Sequence, residues 1–388
     1  MATRWSDDAF LDALRSRTDE EANACVRRLA AEGGLAHARE IFRALETNAS
    51  PAPDGTPDVL RDFLATAPGL PPGADLARLR RGSEAWMSES LPAALVLLTK
   101  ALPEGYAAPS FGVILNMSGD LERHPYRRLL GVLQMVVNVC ERDGFSPSGR
   151  TIVTARKMRL LHAAMRVHVV PKCRPRYDAA RLGPPINMED MLATLMGFSW
   201  VVLAGLRQLG TPLRPEQEED LYYVWRVFAR MVGIHPPGQP DSEEYVPASV
   251  AEAEEFYASF CRRHYVGPEA NPDGVALARA NLEMLQNLLP ARWRALGLGV
   301  VPRIYMQDLI GAEGCARVGI EPVTGHVLLR AALRAVVRLN QKLIGAVPEG
   351  VDAAFGRLLF GGLIDRTWKV KQVTWTIPDT IEDVRSLA

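Results

Sequence analysis

The sequence predicts an all-α protein, built as one large multi-helix domain with a pocket between its helices. Apolar residues recur at helical spacing along most of the 388-residue chain. Capping residues or paired glycines bound several of those runs. Only residues 370–377 have the β-branched and aromatic composition of a strand.

Taken in order, Thr18, Asp19, Glu20 and Glu21 read as a capping box, with Thr18 as the cap. Ala22, Cys25, Val26, Leu29 and Ala30 follow on one face, and Gly33-Gly34 ends the helix. A second helix carries Ala38, Ile41, Phe42 and Leu45, and a short one spans residues 59–64 between turn-rich stretches at 48–57 and 68–73. Residues 1–80 are therefore expected to form a helical layer packed on a main domain of residues 81–388. Within that domain, 91–98 is a buried apolar segment, and Arg127 and Arg128 lead into a mostly apolar helix. A loop at 145–149 opens the helix containing 155–166, and Pro171, Pro175 and Gly183-Pro-Pro185 break the chain after it.

The most apolar run, 191–206, is about sixteen residues long, against the roughly twenty that a membrane span requires. Glu189, Asp190 and Arg207 bound it, so the expectation is one helix buried within the protein and not a transmembrane span. Further helices are expected at 213–232, 248–264, 273–289, 301–316 and 324–346.

Composition narrows the function. Apolar residues make up 48% and charged residues 23%, which fits a globular chain. Lys+Arg and Asp+Glu both number 45, so net charge gives no footprint for nucleic acid. Cys25, Cys140, Cys173, Cys261 and Cys315 are odd in number and widely spaced, which argues against a disulfide framework or a zinc ribbon. A reducing cytoplasm is the expected compartment. The N-terminal residues lack the apolar core of a secretory signal.

No phosphate-binding glycine loop, nucleophile elbow or H-E-x-x-H pair occurs. Of the seven histidines, His162 stands out. Arg159 sits about 60° to one side of it on a helical wheel and Arg166 about 40° to the other. Met158, Leu161 and Met165 supply apolar neighbours. Two fixed positive charges disfavour the imidazolium, and neutral imidazole is what a metal binds. The plainer reading is a core histidine with two snorkelling arginines. His162 and His168 diverge by about 120°, too far for one metal. An all-α chain with one framed histidine suggests a globin-like haem pocket more than any other cofactor site. The arginines require anionic partners, for which haem propionates or Glu189 and Asp190 are the candidates. Asn187, Glu189 and Asp190 read as a helix cap with acids and not as a catalytic pair.

Several stretches in order resemble the rubber oxygenases (latex-clearing proteins), whose catalytic domain is shared with the membrane-bound oxygenase that cleaves the side chain in mycophenolic acid biosynthesis. They are Asp19-Glu-Glu-Ala-Asn23 with Val26; Tyr126-Arg-Arg-Leu129; Met158-Arg-Leu-Leu-His-Ala-Ala-Met-Arg166; and Gly183-Pro-Pro-Ile-Asn-Met-Glu-Asp190 with Thr194, Phe198-Ser199, Leu209-Gly210 and Trp225-Arg226. The resemblance is densest over 155–235. It implies an all-α domain binding haem b, with His162 as the proximal iron ligand and Arg159 and Arg166 as functional flanking arginines. It places Arg128 on the distal side, with Arg127 as the alternative one residue away.

The reaction it implies is insertion of dioxygen across a carbon–carbon double bond of an isoprenoid, giving two carbonyl products. This chain departs from the family pattern at the distal threonine and lysine positions, which are Val132 and Gly131. The expectation is a haem-dependent oxygenase acting with dioxygen on an unsaturated, apolar small molecule. A helical haem protein that stores or senses a ligand is the second reading, and a haem-free scaffold the third.

Overall fold

Helix-forming residues and caps place the helices much where the apolar spacing predicts them. The structure is a computed structural model that describes residues 3–67, 69–117, 125–173 and 177–344. Among these residues every regular element is helical. The strand expected at 370–377 lies outside the described residues.

After a short 3-10 turn come α1 (Asp8–Arg15), α2 (Glu20–Ala31), α3 (Leu35–Ala44) and α4 (Asp58–Thr66). The cap of α2 is Asp19 and not Thr18: the Asp19 carboxylate accepts the Ala22 amide at 3.2 Å, while the Thr18 hydroxyl donates to Glu20. The cap is thus displaced by one residue and no capping box forms, because Ala22 at the third helical position has no polar side chain to return a bond. Next are α5 (Leu76–Ser88) and α6 (Ser90–Val96), which runs through a π-helical turn (Leu97–Ala101) into α7 (Leu102–Gly105). Then follow α8 (Pro109–Asn116), α9 (Pro125–Cys140) and α10 (Thr151–Ala164), the last continuing through a second π-helical turn (Met165–Val169) into α11 (Val170–Lys172).

The second half holds α12 (Ala179–Leu182), α13 (Met188–Phe198), α14 (Trp200–Leu209), α15 (Pro215–Met231), α16 (Val250–His264), α17 (Pro272–Leu288), α18 (Ala291–Ala295), α19 (Val301–Arg317) and α20 (Val327–Ile344). The apolar run expected as one helix is two, α13 and α14. Ser199 leaves helical geometry (φ −110°, ψ −88°), and its hydroxyl donates to the Leu195 carbonyl at 2.8 Å. A serine that bonds back to the preceding turn competes with the backbone ladder and bends a helix. By length and composition Met188–Leu209 is able to cross a membrane, but 61% of its most apolar window is buried inside the fold.

Three apolar clusters organise the interior. The largest gathers α5, α6, α9 and α13 to α17 around Trp86, Trp225, Phe228 and Phe256. A second is made by α2, α3 and α4, whose Val26, Leu29, Phe42 and Phe63 pack on Val153, Leu160, Ala163 and Ala164 of α10. A third joins Val113 and Met117 to Met165, Val169 and Val170 beyond the π-turn. Helix α10 is therefore held on one side by the N-terminal helices and fed on the other into a different core. That is what fixes the position of His162.

Helices α5 and α15 cross closely at Gly82, where a Cβ would come within 2.2 Å of the Asp220 carbonyl oxygen. Arg78 and Arg81 hold the Asp220 carboxylate at 2.9 and 2.6 Å across the same contact. Gly82→Ala is expected to force these helices apart and cost about 1–3 kcal/mol. A lowered midpoint in denaturant unfolding, with the slope unchanged, is the result to look for.

Candidate functional site

The site is built on α10, where Arg159, His162 and Arg166 follow one another along the helix and its π-helical extension. Arg159 is completely buried and forms a bidentate pair with Asp19, Nε to Oδ2 at 2.7 Å and Nη2 to Oδ1 at 2.8 Å. Nη2 also reaches Glu21 Oε2 at 2.7 Å, and the guanidinium stacks 5.0 Å from the Phe63 ring. Burial disfavours the charged arginine, yet these two carboxylates raise its pKa further. Burial likewise works against the Asp19 carboxylate, and Arg159 overrides it, holding the acid below its ordinary 3.8. The close approach needs Gly233, whose φ is +94° and where a Cβ would meet Asp19 Oδ2 at 2.7 Å.

Arg166 is bound differently. Its Nε donates to Asn23 Oδ1 at 2.9 Å and its Nη1 to the Ile186 carbonyl at 3.0 Å, both neutral acceptors. Its Nη2 is buried with no partner among the described residues. Burial pushes its pKa down to about 10, with Arg159 adding to the effect and Asp19 opposing it. Ile186 is the only described residue other than glycine with positive φ, at 53°. A β-branched residue there is strained, and the strain turns its carbonyl toward Arg166.

Between the two arginines, the partly buried His162 has no hydrogen bond among the described residues, and its Nδ1 is sealed from solvent. Burial, then the charge of Arg166, lower its pKa to about 3. The imidazole is neutral across the physiological range, with Nε2 left to meet a ligand. No group of three or more His, Cys, Asp or Glu side chains able to hold a metal ion occurs among the described residues. A haem would ask the protein for only one neutral histidine, because the macrocycle supplies its own nitrogen donors to the iron. The residues present fit that group.

The helices around the site are not sealed throughout. On α9 Gly131 and Val132 keep accessible surface, as do Met158 and Leu161 on α10. On α13, Thr194 is exposed in the middle of a buried helix, and a Cβ at Gly197 would meet nothing within 4 Å. Arg127 and Arg128 lie on the first turn of α9, with side chains outside the described ones.

The partners expected for the arginines are corrected by the structure. Glu189 and Asp190 bind neither Arg159 nor Arg166. They are held instead by Arg15 (3.1 Å to each), by Arg263 and His264 on Glu189 (3.2 and 3.0 Å), and by Ser110 on Asp190 (3.2 Å). Asn187 caps α13 and its amide holds Asp190 at 2.9 Å, so these acids anchor helices. Asp19, Glu21, Asn23, Ile186 and Gly233 are the residues that sequence reasoning did not place at the site. Their signal is that Asp19, Glu21 and Asn23 stand in the first family-like stretch and Ile186 in the stretch 183–190, while Gly233 has none. Pairing over a separation of 140 residues has no local signature.

Asp19→Ala is expected to leave Arg159 as an uncompensated buried charge and cost about 3–5 kcal/mol, read by urea unfolding. The carboxylate pKa is lowered in the fold, so the pair contributes fully above about pH 4 and is lost as pH falls through the lower native value. Asp19→Asn, measured across the same acid range, is expected to show a flatter decline than the wild type.

Comparison with known proteins extends this geometry. Residues 80–339 match the family described as ER-bound oxygenase mpaB/B'/Rubber oxygenase, catalytic domain. A rubber oxygenase from Streptomyces sp. (strain K30) is 27% identical over 240 residues, which is 60% of this chain and 55% of that protein. The chain thus aligns with little more than half the length of this curated relative. The structure of latex clearing protein LCP in the closed state superimposes with a TM-score of 0.74 at 22% identity, covering 94% of this chain and 95% of the other. That likeness establishes the shared helical fold. By the match over two thirds of its length, the chain belongs to the mpaB/B' and rubber oxygenase catalytic-domain family.

Proposed function

We propose that the protein is a haem b-dependent oxygenase that uses dioxygen to cleave a carbon–carbon double bond in an apolar small molecule, isoprenoid-like or a secondary metabolite. One observation carries this reading. A neutral histidine with no hydrogen bond among the described residues stands beside a buried arginine whose acceptors among them are neutral. The first suits iron and the second suits an anionic side group such as a propionate. Family membership supplies the reaction class.

Haem, when bound, supplies the activation of dioxygen. His162 would hold it through Nε2; its depressed pKa keeps the ring neutral, so that in the tautomer with the proton on Nδ1 the Nε2 lone pair is free to bind. Arg166 would hold the anionic edge of the haem. Arg159, locked to Asp19 and Glu21, fixes the helix on which His162 stands and acts as a positioning residue. Arg128 is assigned to the opposite wall, with Gly131 and Val132 beside it giving an apolar, water-poor lining. Both atoms of dioxygen enter the two carbonyl products, so the reaction balances without an external reductant. The five cysteines, all unpaired, support a reducing, cytoplasmic setting.

A second reading, ligand storage or sensing without turnover, is favoured by Gly131 and Val132, which bring no polar group to the iron's far side. Purified protein supplied with haem is expected to develop a Soret band, and His162→Ala to lose or shift it. Arg166→Met is expected to weaken haem binding roughly 10–100-fold while the fold is kept. The absence of any Soret band would remove both haem readings. Oxygen consumption with a polyunsaturated isoprenoid, giving carbonyl products that carry both atoms of labelled dioxygen, separates catalyst from carrier.

A further inference from the structure

On the side of α10 that faces the N-terminal helices, the structure holds a second cleft of about 230 Å³. Its walls come from the segment after α3, from α4, and from Val153 and Arg156. Arg156 lies two turns before His162 on the same helix. The cleft is separate from the proposed haem site, and its lining contains no carboxylate.

Two features of the lining call for an anion. Arg156 makes a single 3.4 Å bond, to the Ala67 carbonyl, and no ion pair among the described residues. Its Nε is buried without a partner, and burial, then the charge of Arg159, lower its pKa. A half-buried guanidinium left in that state is a binding group in search of a carboxylate or phosphate. The second arginine, Arg61, is half exposed, with its nearest acid, Asp58, 3.9 Å away.

The same lining holds the hydroxyls of Thr47 and Ser50, 3.2 Å apart. Ser50 Oγ already accepts the amides of Glu46 and Thr47. The pair has two hydroxyl hydrogens and one mutual bond, so one hydrogen remains to be donated elsewhere. The remaining wall is apolar, from Leu45, Leu64 and Val153.

We propose that this cleft binds a small monocarboxylate with a short apolar chain, its carboxylate held by Arg156 and Arg61 and its chain laid on the apolar wall. The volume lies below the range of drug-sized sites and suits a chain of about six carbons.

The test uses the full-length protein, with hexanoate titrated by calorimetry and by thermal shift, and with hexanol and inorganic phosphate as comparison ligands. Saturable hexanoate binding, tighter than that of either comparison ligand, is the supporting result. Arg156→Met, which keeps the aliphatic stem, is expected to weaken it at least about tenfold. Arg61→Met, at a half-exposed position where the change gives up a bond to the Thr56 carbonyl, provides the same reading if the first variant is unstable. Hexanol binding as well as hexanoate, phosphate binding as well as hexanoate, or hexanoate binding unchanged in both variants would each overturn the assignment, as would no saturable binding to the wild type. None of these outcomes bears on the Soret band, so the haem reading stands or falls separately.

Discussion

The buried pair of Arg159 with Asp19 and Glu21 is the interaction on which the rest of the site depends. It joins the helix carrying His162 to α2 with charge-assisted bonds at 2.7–2.8 Å, in a place where Arg159 has no contact with solvent. A hydrophobic interface alone would hold α10 against the N-terminal helices but would leave its rotation loosely defined. A bidentate guanidinium–carboxylate contact fixes both distance and angle. With the helix turned so, His162 falls between a neutralised arginine and one that is not. The contrast between Arg159 and Arg166 is thus the electrostatic content of the site: the same residue type, seven positions apart, one satisfied by the protein and the other left for a ligand.

A second ionic cluster does different work. Glu189 and Asp190 lie buried at the start of α13, and Arg15, Arg263 and His264 bring α1 and α16 onto them. Burial, chiefly, raises the Asp190 pKa, with Glu189 beside it adding to the rise and Arg15 and His264 opposing it. Two adjacent carboxylates can be buried there only because three basic side chains and the Asn187 amide converge on them. This cluster closes the chain on itself, and α1 and α16 also meet directly, through Arg262 and Arg263 on Asp8 and Arg263 on Asp12.

Much of the fold was legible because it is local. Helices at 250–264, 272–288 and 301–317 follow from apolar spacing within single stretches of sequence. His162 with its two arginines was legible for the same reason, all three lying on one short run. What the sequence left open depends on distance. Nothing near Arg159 reveals that its acids are Asp19 and Glu21 and not Glu189 and Asp190. The break at Ser199 was missed because a serine is compatible with a helix until its hydroxyl takes the preceding carbonyl. The Asp19 cap was missed by one residue, since Thr18 and Asp19 both suit the position and only the geometry of the turn decides.

The π-helical turn at Met165–Val169 carries a consequence for how this chain can vary. Before it, Val153, Leu160, Ala163 and Ala164 belong to the core shared with the N-terminal helices; after it, Met165, Val169 and Val170 belong to the core around Val113 and Tyr177. One wide turn shifts the phase of the helix by roughly a residue, about 100° of rotation. A single continuous rod is thereby spliced from two registers, each keyed to its own neighbours. Loss or gain of one residue in this turn would act as a twist of the helix beyond it, so the length of the segment matters to the second core as much as the apolar residues that fill it.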